Sequence, residues 1–270
     1  MKSVLTAALL VLSSVALAGP KLYVFDCGLI NLTGVTPFGL KSDATSVREL
    51  FVPCYLIEHS KGRLLWDTGL PLSAAGQGVI KLDDGGTIVY ERSIVDQLAA
   101  MGIAPADITH MAVSHLHTDH AGGINAFAGA KVLMQKAEWD SALAGNPEFE
   151  PSAVFAKLKE TPTLTIIDGD YDVFGDGSVK LIYAPGHTPG HQTLRVELEK
   201  TGPVLLSGDL YHFRESRTLR AVPTFNFDAA QTLASFDKVE ALLKATNTTL
   251  WIEHDKLFAD TLKKAPQYYE

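Results

Sequence analysis

The chain has 270 residues, 46% of them hydrophobic and 20% charged, the profile of an ordinary globular protein. Its formal net charge of -8 repels polyanions, which excludes nucleic acid as the expected substrate. Two cysteines, Cys27 and Cys54, are too few for a disulfide-framework scaffold.

Residues 1–18 predict an export signal. Lys2 supplies the positive start, Val4 to Leu12 the apolar core and Ala16-Leu17-Ala18 an A-x-A cleavage site, with cleavage expected after Ala18. The apolar stretch is short for a bilayer span, and no cysteine follows the site to carry a lipid anchor. The expected product is a periplasmic or secreted protein without lasting membrane association. Residues 19–270 contain no linker and no low-complexity segment, so they are expected to form one domain.

In chain order, "KLYVFDCG" predicts a first strand, followed by the polar stretch "LINLTGVTPFGLKSDATS". "FVPCYLIEHSKGRLLWDTG" predicts a hairpin around Ser-Lys-Gly. Cys54 within it reads as a small buried hydrophobe, although pairing with Cys27 is compatible with export. "ERSIVDQLAAMGI" has helical spacing, "ITHMAVSHLH" reads as a buried strand ending at histidines, and "KVLMQ" and "KAEWDSALAG" as a strand and a helix. The second half gives strands in "VKLIYAPGHTPGH", "QTLRVELE", "GPVLLSGDLYHF" and "TTLWIEHD", with a long amphipathic helix in "FDAAQTLASFDKVEALLKAT". Strand–helix alternation with hairpins indicates a layered α/β fold.

The strands predicted to end at Asp67, His115, His187, Asp209 and His254 each finish at a metal-capable residue. Loops at one edge of a sheet are where a rigid scaffold can aim such groups together. His115 and His117, two apart in an extended segment, project to one side and can share a cation. Asp119 and His120 follow on a turn and point towards a second cation. Imidazole and carboxylate donors suit zinc, with iron, manganese or cobalt as competitors. His59 and His110 lie outside these motifs and read as ordinary packing residues.

"HLHTDHAGG", "PGHTPGHQ", "SGD" and "EHD", in this order after "WDTG", resemble the metallo-β-lactamase fold superfamily. The resemblance implies an αββα sandwich with a dinuclear metal centre at one edge of its two sheets. It assigns His115, His117 and His187 to one ion, Asp119, His120 and His254 to the other, and Asp209 to both. His191 is then a supporting residue, and Asp67 resembles the buried aspartate that orients a ligand histidine.

Within the superfamily, Asp209 points away from β-lactamases, which usually lack an aspartate there. The run from His254 only to Glu270 points away from glyoxalase II enzymes, which add a glutathione-binding helical region. The acidic composition points away from RNA-processing members. "CYLIEHSKGRLLWDTGLP", "VLMQKAEWD" and "IIDGDYDVFGDGSVKLIYAPGHTPGHQTL" resemble the N-acyl homoserine lactonases, the quorum-quenching branch. One departure stands out. Those enzymes commonly carry a tyrosine three residues after the bridging aspartate, where this chain has His212, with Tyr211 beside it.

The expected activity is therefore hydrolysis of a small-molecule lactone. Other esters, thioesters, phosphodiesters or β-lactams are the alternative substrates, and a non-catalytic zinc-binding protein is a further alternative. Two cations sharing one water lower its pKa from about 16 to near 7 or below, which supplies hydroxide at neutral pH. His212 or Tyr211 is the expected donor to the carbonyl oxygen, a role worth roughly 2–4 kcal/mol in the transition state, and Asp119 the expected proton carrier to the leaving oxygen. Leu29, Ile30, Phe38, Leu40, Ile80, Phe213 and Phe225 are the candidate wall for an acyl tail. A homodimer is left open.

Overall fold

The computed structural model describes residues 19–145, 156–160 and 163–270, so the expected export signal lies outside the described residues. Fourteen strands are present among them. In the first half these are β1 (Lys21–Asn31), β2 (Glu49–His59), β3 (Gly62–Trp66), β4 (Val79–Lys81), β5 (Thr87–Val89), β6 (His110–Ala112) and β7 (Lys131–Gln135). The second half adds β8 (Leu164–Ile167), β9 (Tyr171–Asp172), β10 (Val179–Tyr183), β11 (Gln192–Leu198), β12 (Gly202–Leu206), β13 (Thr249–Trp251) and β14 (Tyr268–Tyr269). The α-helices are α1 (Ile94–Ala100), α2 (Thr118–Ala121), α3 (Lys136–Leu143), α4 (Ala156–Lys159), α5 (Arg214–Leu219), α6 (Ala229–Thr246) and α7 (Lys256–Ala259).

One sheet runs β4-β5-β1-β2-β3-β6-β7-β8, with β14 also paired to β1, and the other runs β13-β12-β11-β10-β9. Side-chain alternation explains why the sheets stack. In β2, Tyr55 and Ile57 face the second sheet, while Cys54 and Leu56 face the outer helical layer. The space between the sheets is filled by Val24, Leu64 and Trp66 from one side and Leu194, Val196 and Leu206 from the other. Burying each such side chain contributes about 1.5–3 kcal/mol. Ile94 and Leu98 of α1 cover the outer face of the first sheet. Phe236, Val239 and Leu243 of α6 cover that of the second. The result is the expected αββα sandwich.

Helix α6 starts where Asp228 accepts hydrogen bonds from the N–H groups of Ala230 and Gln231, and it ends at Asn247 in a left-handed conformation. Such a cap is worth about 1 kcal/mol. Strand β1 extends to Asn31 through a bulge between Asp26 and Leu29, taking in residues read from sequence as the polar connection. The short strands β4, β5, β8, β9 and β14 were not expected. Each has two to four residues and too little alternation to show a period.

The reading of Cys54 as an unpaired hydrophobe is corrected. Cys27 and Cys54 are both fully buried, and they form a disulfide across β1 and β2 with 5.8 Å between their α-carbons. The reason is register: Phe25 pairs with Cys54, and the bulge then turns Cys27 onto the same outer face. A one-residue register shift is not visible in a single sequence.

Candidate metal centre

The ends of β3, β6, β10, β12 and β13 open onto one edge of the sandwich, and the candidate ligands lie on the loops that follow them, Asp119 and His120 on α2 after β6. Strand β6 stops at Ala112, short of the histidines, and Val113 to His117 continues off the sheet. His117 is extended (φ -64°, ψ 153°) and precedes the single turn of α2, which carries Asp119 and His120. Asp209 sits on a turn directly after β12. The preceding Gly208 has φ +50°, and a β-carbon there would lie 2.6 Å from Ser114 Cβ and 2.7 Å from His191 Nε2, so the turn requires glycine.

Among the described residues three groups of donor atoms come together: Asp67, His120 and Glu253, and two that meet at Asp209. His115, His117, His187 and Asp209 form one, and Asp119, His120 and His254 the other, with the donor atoms of each group within 4.8 Å of one another. In the first, His117 Nδ1 lies 2.9 Å from His115 Nε2 and 3.2 Å from His187 Nε2. Asp209 stands between the groups. Its Oδ2 is 3.2 Å from His187 Nε2 and 3.6 Å from His115 Nε2. Its Oδ1 is 2.9 Å from His254 Nε2 and 3.1 Å from His120 Nε2. Asp119 Oδ2 completes the second group at 3.5 Å from His120 Nε2 and 3.6 Å from His254 Nε2.

The chemistry of these contacts demands positive charge. His254 Nδ1 is 2.6 Å from the Phe51 carbonyl, which can only accept, so Nδ1 carries the proton. His120 Nδ1 likewise donates to Asp67 Oδ2 at 2.8 Å. The neutral forms of both rings therefore aim Nε2 lone pairs at each other, 3.2 Å apart, and at the same carboxylate oxygen. Only a cation or added protons resolve that arrangement. The proton affinities agree: burial works to lower His254, but Asp209 beside it lifts the imidazole to about 9. Burial also opposes charge on His120, and Asp209, Asp119 and Asp67 together hold it well above the usual histidine range. In the first group, burial followed by the proximity of His187 takes His117 down to about 3, which keeps it in the neutral form a metal requires. His187 Nδ1 and Asp209 Oδ1 are buried without a hydrogen-bond partner. These residues fit a pair of divalent ions.

Of the two histidines in "GHTPGH", only His187 turns a ring nitrogen, Nε2, towards His117 and Asp209. His191 Nδ1 donates to the Ala184 carbonyl at 2.9 Å, and its Nε2 accepts the Asp209 N–H at 3.0 Å. Both of its nitrogens are thus engaged, one by Ala184 and the other in holding Asp209. Asp67, with φ +54°, accepts from Ser114 N (2.6 Å) and Ser114 Oγ (3.0 Å) as well as from His120. Its oxygens are engaged as orienting acceptors.

Tyr211 is corrected as a donor to substrate. Its ring packs against Phe236 and its hydroxyl donates to Glu240 at 3.0 Å, on the α6 side of the second sheet. Alternation after Asp209 turns adjacent residues to opposite sides, so His212 faces the centre instead. His212 Nε2 lies 3.0 Å from Asp209 Oδ2. The ring packs 4.9 Å from that of Phe38. His59 and His110 lie at the far side, packed on Phe174.

A cavity of about 250 Å³ leads to the donor groups and is lined by His117, Thr118, Asp119, Asp209, His212 and His254. Its apolar wall is Ile30, Leu32, Phe38, Leu50 and Phe225. Ile30, Phe38 and Phe225 were expected; Leu32 and Leu50 were missed. Leu40 and Phe213 pack behind the wall, and Leu29 and Ile80 do not line the cavity. Ser114, Glu138 and Glu253 were also missed. Glu253 Oε1 accepts from Trp66 Nε1 and Gly208 N, and burial lifts its carboxyl to about 8. Its place beside His254 in "EHD" was the available signal.

Residues 47–246 match the metallo-beta-lactamase superfamily, and the chain belongs to it. An N-acyl homoserine lactonase from a Bacillus species is 35% identical over 232 residues, which is 82% of this chain and 87% of the relative. The N-acyl homoserine lactonase AttM of Azorhizobium caulinodans is 32% identical, covering 82% and 88%. An N-acyl homoserine lactone hydrolase, solved with N-hexanoyl-L-homoserine at its catalytic metal centre, has a TM-score of 0.79 at 30% identity. That match covers 93% of this chain and 99% of the solved one. The chain is a metal-binding hydrolase of this superfamily.

Proposed function

We propose that the chain is an exported N-acyl homoserine lactonase that uses two zinc ions. His115, His117 and His187 hold one ion, Asp119, His120 and His254 the other, and Asp209 contributes an oxygen to each. The observation that carries this reading is Asp209, whose two oxygens are directed to different donor groups. The likeness to N-acyl homoserine lactonases over four-fifths of the chain supports the substrate class.

When bound, the ions would supply Lewis acidity and an ionised water at neutral pH. The protein's own part is to position and to transfer protons. Ile30, Leu32, Phe38, Leu50 and Phe225 exclude water and hold the acyl tail. His212, whose Nε2 borders the cavity 3.0 Å from Asp209 Oδ2, turns that N–H from the carboxylate to the carbonyl oxygen as negative charge develops there. Asp119, in the cavity wall, takes a proton from the water whose oxygen adds to the carbonyl carbon and passes it to the departing ring oxygen. The ring C–O bond breaks, and the product is the opened N-acyl homoserine.

His212→Ala is expected to keep both metals and to lower kcat by roughly 10- to 1000-fold, the cost of one oxyanion donor. Steady-state kinetics with metal analysis checks this. If His212 serves only to steady Asp209, metal content will fall along with activity. His212→Tyr is expected to recover part of the loss, and Tyr211→Phe to leave kcat near wild type because its hydroxyl is engaged by Glu240.

Comparing acyl homoserine lactones with β-lactam and phosphodiester substrates tests the proposed activity. Lactone opening that stops on chelation and returns with zinc is expected; turnover of another class with lactones untouched would refute it. Export is supported by the Cys27–Cys54 disulfide, a feature of oxidising compartments, and by the A-x-A motif. Fractionation and N-terminal sequencing should find periplasmic or secreted protein starting at Gly19. A cytoplasmic chain retaining Met1 would contradict export.

A further inference from the structure

The structure assigns to Glu138 a positioning role: its carboxylate ties the loop carrying His115 and His117 to the loop carrying His187, and so sets the affinity of the first donor group for its metal. Glu138 lies in the first turn of α3 and is 1% exposed. Its Oε1 accepts the N–H of Leu116, the residue between His115 and His117, at 2.9 Å. Its Oε2 accepts the hydroxyl of Thr188, which follows His187, at 2.8 Å, and the N–H of Gly190 at 2.7 Å.

The loop at Leu116 emerges from the first sheet and the loop at Thr188 from the second. One side chain therefore joins the two sheets where three imidazoles must converge. Gly190 permits this contact, because a β-carbon there would lie 2.4 Å from both the Glu138 nitrogen and its Cβ. Gln135, one turn earlier, reinforces the junction by donating to Gln192 Oε1 at 2.9 Å.

The residue type matters as much as the position. Three donors converge on Glu138, and a carboxylate offers acceptor sites to all of them. A glutamine would place an N–H₂ group against N–H or O–H donors. None of the three donors carries formal charge, and a carboxylate at this depth is costly without positive charge nearby. A cation held by His115, His117 and His187 supplies that charge. By linkage, Glu138 must then strengthen binding of the cation by as much as the cation stabilises the ionised carboxylate. Burial, only partly offset by its three hydrogen bonds, lifts the carboxyl to about 7, in keeping with this demand.

The inference rests on the two-group reading of the metal centre, and the test separates the two. Wild type and Glu138→Gln, stripped of metal, are titrated with zinc against a chromophoric chelator, and the melting temperature of each metal-free protein is measured. One of two zinc equivalents is expected to weaken by roughly 10- to 100-fold, the usual effect of losing a group that orients metal ligands. The other equivalent is expected to stay near wild type, and the metal-free melting temperature to fall by only a few degrees, the cost of one stranded buried donor. Two equivalents at wild-type affinity would overturn the role of Glu138. So would equal weakening of both, which marks general loosening. If Glu138→Gln does not fold, Thr188→Val decides: it removes one of the three donors, and unchanged zinc affinity would equally overturn the role. Wild type that takes up no zinc would instead remove the two-group reading itself.

Discussion

His187→Ala is expected to lose one metal equivalent and essentially all turnover, whereas His191→Ala is expected to keep both metals and lose stability. The two residues are four apart in one turn and are both fully buried, so burial does not distinguish them. Their ring nitrogens do. His187 Nε2 faces His117 and Asp209, and its removal opens a gap in the first donor group. His191 has no nitrogen left to give, since one donates to Ala184 and the other accepts from Asp209. Its loss strands a buried carbonyl and a buried N–H, at about 1–3 kcal/mol for each. Elemental analysis and denaturant unfolding of the two variants separate these outcomes. The reverse pattern would place the ligand at the wrong histidine.

Asp209→Asn carries the second large effect. The substitution preserves shape but removes the negative charge between five imidazoles, those of His115, His120, His187, His212 and His254. Burial alone would raise this carboxyl, yet the surrounding histidines hold it well below the usual carboxylate range. Removing one partner of a buried charge arrangement costs about 3–5 kcal/mol, or roughly 10²- to 10⁴-fold in metal affinity. Both equivalents are expected to weaken, because each carboxylate oxygen serves a different group. Zinc titration checks this. Weakening of a single equivalent would show that Asp209 belongs to one group only.

Much of this centre was legible in the sequence because its donor residues follow predicted strands at short spacings. "HLHTDH" placed His115, His117, Asp119 and His120 together, and the turns after strands at "PGH", "SGD" and "EHD" located His187, Asp209 and His254. The acceptors that hold these ligands were not legible. Glu138 sits in a helix, α3, where a first-turn acid is ordinarily an exposed favourable charge. Only the packing of α3 against the loop at Gly190 shows it to be buried. The Phe51 carbonyl that fixes His254 is a main-chain group and leaves no mark on residue identity. Tyr211 and His212 were separable only by which side of the turn each faces, and that depends on where the strand before Asp209 ends. The Cys27–Cys54 pair depended in the same way on a bulge in β1.

The most direct test is the metal content of the chain from Gly19 onward, stripped and reconstituted with zinc. Two sets of donors, joined by a carboxylate with one oxygen towards each, predict two zinc equivalents per chain, with lactone opening reaching its full rate only when both are bound. A folded preparation that saturates at one equivalent, or is fully active with one, would contradict the dinuclear centre.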